Sequence, residues 1–536
     1  MIDRMPSRKS LSLQQLVATS LIVVMGTAVP NTSTAQLRQG GIDNLPSLGE
    51  ASVDELSPAA EQRLGDQIYQ EFLRMGVIYD DPESTDILAA RAKALLSAAQ
   101  SLGHTEIDRP FRFFLVKDPS INAFALPGGY IGIHTGLLTA SEYESEVMSV
   151  LAHEIGHVTQ RHIARMFGQQ RQSSAVMLAT ALLAIMAARA SADAAMGVIS
   201  LGQTVAARDQ MAFSRDAERE ADRVGLQILA ASGYDPHGMS KMFERLSQSG
   251  RLYDTNAPSY LRSHPLTTER IADVQGRLQS EFGKRTAAGP NSLAFDWVRA
   301  KLTALADAKV DGLRQSRQRL LDQLGRINAV SSPKVTQETA LRFGLAWVAL
   351  SQRQFAEVDQ LLAVIEPQVR QAGLIDQAAP FLDHLRLRLA MDRQLPAQSL
   401  VPMVMSITTA HPDSRAIHRT AVEALVQAGV VDASTAAMAR RIASLWSRDP
   451  QAWALLARVE AARGQRALQH AASAEQYALV GAYAAAIDQL NLARRSPDAD
   501  FVTLSKIDAR LTTFRAELRR EQLERKESER RREPDR

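Results

Sequence analysis

The stretch Val147-Met-Ser-Val-Leu-Ala-His153-Glu154-Ile-Gly156-His157-Val-Thr-Gln-Arg-His162 decides how the chain is read. Val147, Val150 and Leu151 recur at helical spacing, which predicts a helix from near Ser141 past Arg161. Residues four apart share a helical face, so His153 and His157 can reach one metal ion. Glu154, beside the first of them, can hold a water there as general base. Gly156 reads as leaving room at the metal. Because the five-residue pattern also arises by chance on half-buried helices, its meaning depends on what surrounds it.

A catalytic metal site with an open position needs a third protein ligand, and a chain with no cysteine must take it from His, Asp or Glu. Ser214-Arg-Asp-Ala-Glu218-Arg-Glu220-Ala-Asp222-Arg-Val-Gly225 reads as a second helix, with Ala217, Ala221, Val224 and Ile228 on its core face. Glu218 and Asp222 fall four apart on a neighbouring face, so one can bind metal while the other orients a ligand imidazole. Glu220 points elsewhere. His162, five after His157, leaves the ligand face and reads as structural. His264, in Ser263-His264-Pro265, is a candidate regulatory fourth ligand: a neutral imidazole in the open position would displace the water and hold the site latent.

Outward from these helices, Ala59–Met75 and Ser84–Leu102 carry helical periodicity, and Phe111–Val116 has the aromatic and β-branched content of a strand. Asn122–Gly136 splits two short apolar segments with Pro127-Gly128-Gly129, a turn between strands beside the catalytic helix. The N-terminus has Arg4, Arg8 and Lys9, an apolar run near Leu16–Val29, then Ser33-Thr34-Ala35, which predicts an export signal cleaved before Gln36. Ser174–Ala190 and Ala194–Val205 read as an apolar helical hairpin that is buried or touches a membrane peripherally. Past Thr286 the composition turns to Ala, Leu, Gln and Arg in helix pairs, such as Trp347 to Leu362 and Trp453 to Leu468, similar to tetratricopeptide repeats. The expected layout is therefore a signal peptide (1–35), a linker (36–58), a zincin-type α+β metalloprotease domain (59–285), a helical solenoid (286–513) and a charged, disordered tail (514–536), mainly α overall. A net charge of +3 over 536 residues argues against a nucleic-acid partner.

Four words taken together, Asn122–Gly136, His153–His162 as H-E-I-G-H-V-T-Q-R-H, Ser214–Asp222 as S-R-D-A-E-R-E-A-D, and Ser263-His264-Pro265, resemble the zinc endopeptidases related to CAAX prenyl proteases and HtpX, in particular their periplasmic BepA branch. The resemblance implies one zinc ion per chain, Glu218 as third ligand, Asp222 in support, and a periplasmic role in quality control of outer-membrane proteins. It further implies unfolded or misassembled outer-membrane proteins as clients, with the β-barrel assembly machinery as a partner of the repeats. Two rival readings stand beside it: a helical-repeat chaperone or scaffold with a structural or inactive metal site, and an integral membrane protease.

Overall fold

The computed structural model describes residues 57–104, 110–169, 215–251, 259–283, 291–329 and 335–532. The chain divides into two compact units, and apart from residues 167–169 everything described belongs to one of them, Leu56–Met166 with Met211–Arg536. The expected signal peptide, nearly all of the linker and the apolar hairpin lie outside the described residues. No described helix is long and apolar enough to cross a membrane.

Two proline-led helices open the unit. In α1 (Pro58–Arg74) the Ser57 side chain accepts from the Ala60 N–H, and in α2 (Pro82–Ser101) Asp81 does the same for Ser84. Proline sits at the first turn of each, where its missing N–H leaves no bond unmade. Strands β1 (Arg112–Val116), β2 (Ala123–Leu126) and β3 (Tyr130–His134) follow and form a sheet in the order β1-β3-β2, β1 parallel and β2 antiparallel to β3. The expected turn falls at Pro127–Gly129. Gly129 has φ 83°, and a Cβ there would stand 2.4 Å from the Pro110 carbonyl oxygen, so glycine is required.

After α3 (Thr135–Ala140) comes the motif helix, α4 (Glu144–Thr159). It ends earlier than its spacing predicts. Arg161 adopts φ 53°, a left-handed conformation that cannot continue an α-helix, and α5 (His162–Gln169) starts after it as a separate helix. The second carboxylate-bearing helix, α6 (Arg215–Ala231), lies against α4 through small residues. A Cβ on Gly156 would stand 3.1 Å from the Ala221 carbonyl oxygen, and one on Gly225 would stand 3.0 Å from the His153 backbone. Gly156 thus serves the approach of two helices, not room at the metal. Helices α7 (His237–Arg251), α8 (Ser259–Ser263) and α9 (Thr268–Arg277) pack over this pair and complete the site.

The remainder is helical: α10 (Leu293–Ala304), α11 (Val310–Asn328), α12 (Val335–Ser351), α13 (Phe355–Gln371), α14 (Ile375–Asp392), α15 (Ala397–Ala410), α16 (Arg415–Gln427), α17 (Ala433–Leu445), α18 (Pro450–Ala462), α19 (Arg466–Leu479), α20 (Tyr483–Arg495) and α21 (Phe501–Arg532). Each packs on the next. The tail expected to be disordered from residue 514 is instead helical to Arg532. Buried Phe514 lies 6.1 Å from the Tyr483 ring and Gln67 of α1 donates to Glu524, so its first turns are held by contacts that a charge count does not reveal. The described residues are mainly α with one small sheet.

The apolar core does not stop at residue 285. Leu88, Leu151, Leu226, Trp297, Phe343 and Leu385 belong to one continuous cluster. Ion pairs run across the same junction from the start of α2. Lys301 Nζ is 2.9 Å from Asp81 and 2.8 Å from Glu83, while Arg415 and Arg419 each lie 2.7 Å from Asp86 and Asp80 respectively.

Candidate metal centre

The buried side chains of His153, His157, Glu218 and His264 offer four ligand atoms that all lie within 4.8 Å of one another. Helix α4 contributes the imidazoles: one turn apart, their Nε2 atoms stand 3.0 Å from each other. Helix α6 brings the carboxylate, with Glu218 Oε1 3.4 Å from His157 Nε2 and Oε2 3.6 Å from His153 Nε2. The close α4–α6 packing at Gly156 and Gly225 is what allows this reach. Asp222, one turn further along α6, lies with Oδ1 2.9 Å from His153 Nδ1. A carboxylate only accepts, so Nδ1 carries the proton and Nε2 turns its lone pair to the cluster.

Whether these residues suit a metal can be judged from Glu154. It is fully buried, and neither carboxylate oxygen has a hydrogen-bond donor among the described residues. A buried carboxylate in that condition is costly unless a water or cation completes it. Burial also pushes the His157 imidazole well below its ordinary value, so it is neutral, the form that binds metal. For Glu218, burial alone would raise the carboxyl, but His264 and His157 outweigh it and hold the group ionised. Two imidazole nitrogens and an ionised carboxylate, with glutamate adjacent, fit a divalent metal of the zinc type.

His264 joins the cluster, as its loop position suggested. Its Nδ1 is 3.0 Å from Glu218 Oε1 and 3.4 Å from His153 Nε2, and its Nε2 is 3.5 Å from Glu154 Oε1. The Tyr260 ring stacks on it at 4.7 Å. Two further residues were not anticipated in this position. Arg270, buried in the first turn of α9 with its N–H capped by Thr267, donates to both oxygens of Asp222, pairs with Glu218 Oε2 at 2.7 Å and donates to the Pro265 carbonyl. Its only sequence signal is a threonine three residues before it. His162, read as structural, meets a ligand: the helix break at Arg161 sets its Nδ1 2.8 Å from His157 Nδ1, while its Nε2 is 3.0 Å from Glu220 Oε2.

The sequence of this chain is similar to those of known proteins. The model of peptidase family M48 matches residues 88–278, which include every residue of the cluster. The beta-barrel assembly-enhancing protease of Escherichia coli (strain K12) is 29% identical over 499 residues, 92% of this chain and 96% of its own. That of Yersinia pestis is 30% identical over 476 residues, 88% of this chain and 92% of its own. Metalloprotease LoiP of Escherichia coli (strain K12) is 28% identical over 266 residues, 49% of this chain and 97% of its own. A metal-binding donor set in this fold, in a chain so matched, makes the class a metalloprotease. The chain belongs to peptidase family M48, and within it to the group resembling the beta-barrel assembly-enhancing proteases.

Proposed function

We propose that this chain is a zinc-dependent endopeptidase, exported to the periplasm through a cleaved signal peptide, that acts in assembly and quality control of outer-membrane β-barrel proteins. The observation that carries the chemistry is the convergence of His153, His157 and Glu218 beside a buried Glu154 with no hydrogen-bond donor among the described residues. Zinc, when bound, supplies a Lewis acid that polarises a peptide carbonyl and lowers the pKa of water to about 7. Glu154 takes the proton of the attacking water and returns it to the leaving amine. Asp222 fixes the tautomer of His153, and Arg270 balances the carboxylates of Glu218 and Asp222. The edge strand β2, hydrogen-bonded to β3 and packed beside α4, offers a backbone along which an extended client can pair.

The role in barrel assembly rests on the names of the relatives, and the repeats are the part suited to hold a client or the assembly machinery. In this reading His264 closes the site: its imidazole lies among the ligand atoms and beside Glu154, where substrate and water must enter. Casein hydrolysis by the purified mature chain, with zinc content measured on the same samples, tests the proposal. Expected are about one zinc per chain in both the native protein and Glu154→Gln, and loss of hydrolysis in the substituted protein alone. A chain that binds no zinc refutes the reading. Zinc binding with equal hydrolysis in both proteins removes Glu154 from its role.

A further inference from the structure

Two side chains next to the cluster are left unused by the chemistry above. Glu220 sits on α6 between Glu218 and Asp222 in sequence but faces away from the metal ligands, and His162 opens α5. On an unbroken helix His162 would fall about 140° around from His157. The left-handed Arg161 removes that separation and puts the two imidazoles in hydrogen-bond contact, Nδ1 to Nδ1 at 2.8 Å.

We propose that Glu220, acting through His162, is a positioning residue that fixes the orientation and tautomer of the metal-binding imidazole of His157. The inference rests on the zinc reading of the site. Glu220 Oε2 also receives a hydrogen bond from Arg165 at 3.0 Å, so the carboxylate is ionised and can only accept. The proton between Glu220 and His162 therefore sits on His162 Nε2. A neutral His162 then offers Nδ1 as a lone pair, which obliges His157 to donate from its own Nδ1. His157 Nε2 is left without a proton, facing His153 Nε2 and Glu218. The two imidazole ligands thus reach the same tautomer by different means. His153 uses Asp222 directly, inside the protein, whereas His157 uses a two-step relay that ends at a carboxylate whose side chain is 31% exposed.

The test is titration of the metal-free full chain with Co²⁺, read by its visible ligand-field bands, together with zinc affinity by competition with a chromogenic chelator. Glu220→Ala should weaken zinc binding about tenfold, at the lower end of the usual effect of such supporting residues, and shift the cobalt bands. Glu220→Gln, whose amide oxygen can still accept from His162 Nε2, should restore most of the affinity. Because Glu220 is partly exposed, the metal-free Tm should not change. Native affinity and native bands in Glu220→Ala overturn the proposal. So does a loss of affinity that comes with a lower metal-free Tm and is not restored by glutamine, which would make the contact one of packing. A native chain that takes up neither metal would fail earlier, on the zinc reading, and would carry the relay down with it.

Discussion

Replacing Lys301 by Ala tests the junction between the catalytic part and the helical array. The ammonium is buried above the Trp347 ring at 4.6 Å and donates to Asp81 and Glu83, both buried as well. Removing one partner of a buried ion pair leaves an uncompensated charge, which typically costs about 3–5 kcal/mol. Glu83 would keep its contact with His384, 2.8 Å away, and Asp81 its hydrogen bonds from Ser84, which places the expected loss near the lower end of that range. The sign of the pH dependence is the sharper prediction. In the native protein burial pushes both carboxyls up, but Lys301 outweighs it and both are held below their ordinary values. Their contribution is therefore present above the unfolded value near pH 4 and is lost as pH falls through the lower folded values. Without the ammonium, burial raises them instead. The penalty of Lys301→Ala should then be largest at pH 7, begin to shrink already above about pH 4 as the raised carboxyls of the variant take up protons, and go on shrinking as pH falls through the lower folded values of the native protein. Urea unfolding followed by tryptophan fluorescence reports on this place, since Trp297 and Trp347 lie in the shared core. A loss under about 1 kcal/mol, or one independent of pH, would refute the reasoning.

The remaining predictions concern the site and the tail. His264→Ala should raise casein hydrolysis with zinc content unchanged, because it removes an imidazole from the position through which substrate and water enter; equal activity would dismiss it as a latch. Gly225→Ala places a Cβ 3.0 Å from the His153 backbone, and neither helix has a flexible side chain to give way there. It should cost about 1–3 kcal/mol by overpacking, and zinc affinity should fall with it; a neutral result in both assays would show that α4 and α6 can part without consequence. Phe514→Ala should cost about 3–5 kcal/mol and expose the C-terminal helix to limited proteolysis, whereas an unchanged cleavage pattern would mean that Phe514 does not hold α21.

What the sequence disclosed followed from periodicity. The four-residue spacing of His153 and His157, and of Glu218 and Asp222, puts each pair on one face whatever the rest of the fold does, so the cluster was legible once both helices were recognised. The turn at Pro127-Gly128-Gly129 and the successive helices after residue 290 were legible on the same local grounds. What local spacing could not disclose was the helix end at Arg161, since arginine in a left-handed conformation is stabilised by surroundings and not by neighbours in sequence. The partnership of His162 with His157 depends on that break, so it was missed with it. Arg270 lies 48 residues beyond Asp222, and no periodic pattern links the two. The helical course of the tail escaped for a similar reason: its net composition is that of a solvated segment, and its contacts are tertiary, Phe514 with Tyr483 of the preceding helix and Glu524 with Gln67 far away in sequence.

The continuous core across residue 285 bears on how such a chain could have been assembled in evolution. Appending a repeat array to an enzyme by simple fusion leaves each part with a finished, polar surface and a linker between them. Here α2 meets α10 and the helices behind it through a shared set of apolar and buried ionic residues, so neither part could be exchanged for an unrelated one by recombination at their border. A catalytic part that functions without such an array must have a different set of residues on those faces. Positions such as Asp81 and Glu83 are therefore where sequences of one-part and two-part relatives should diverge first.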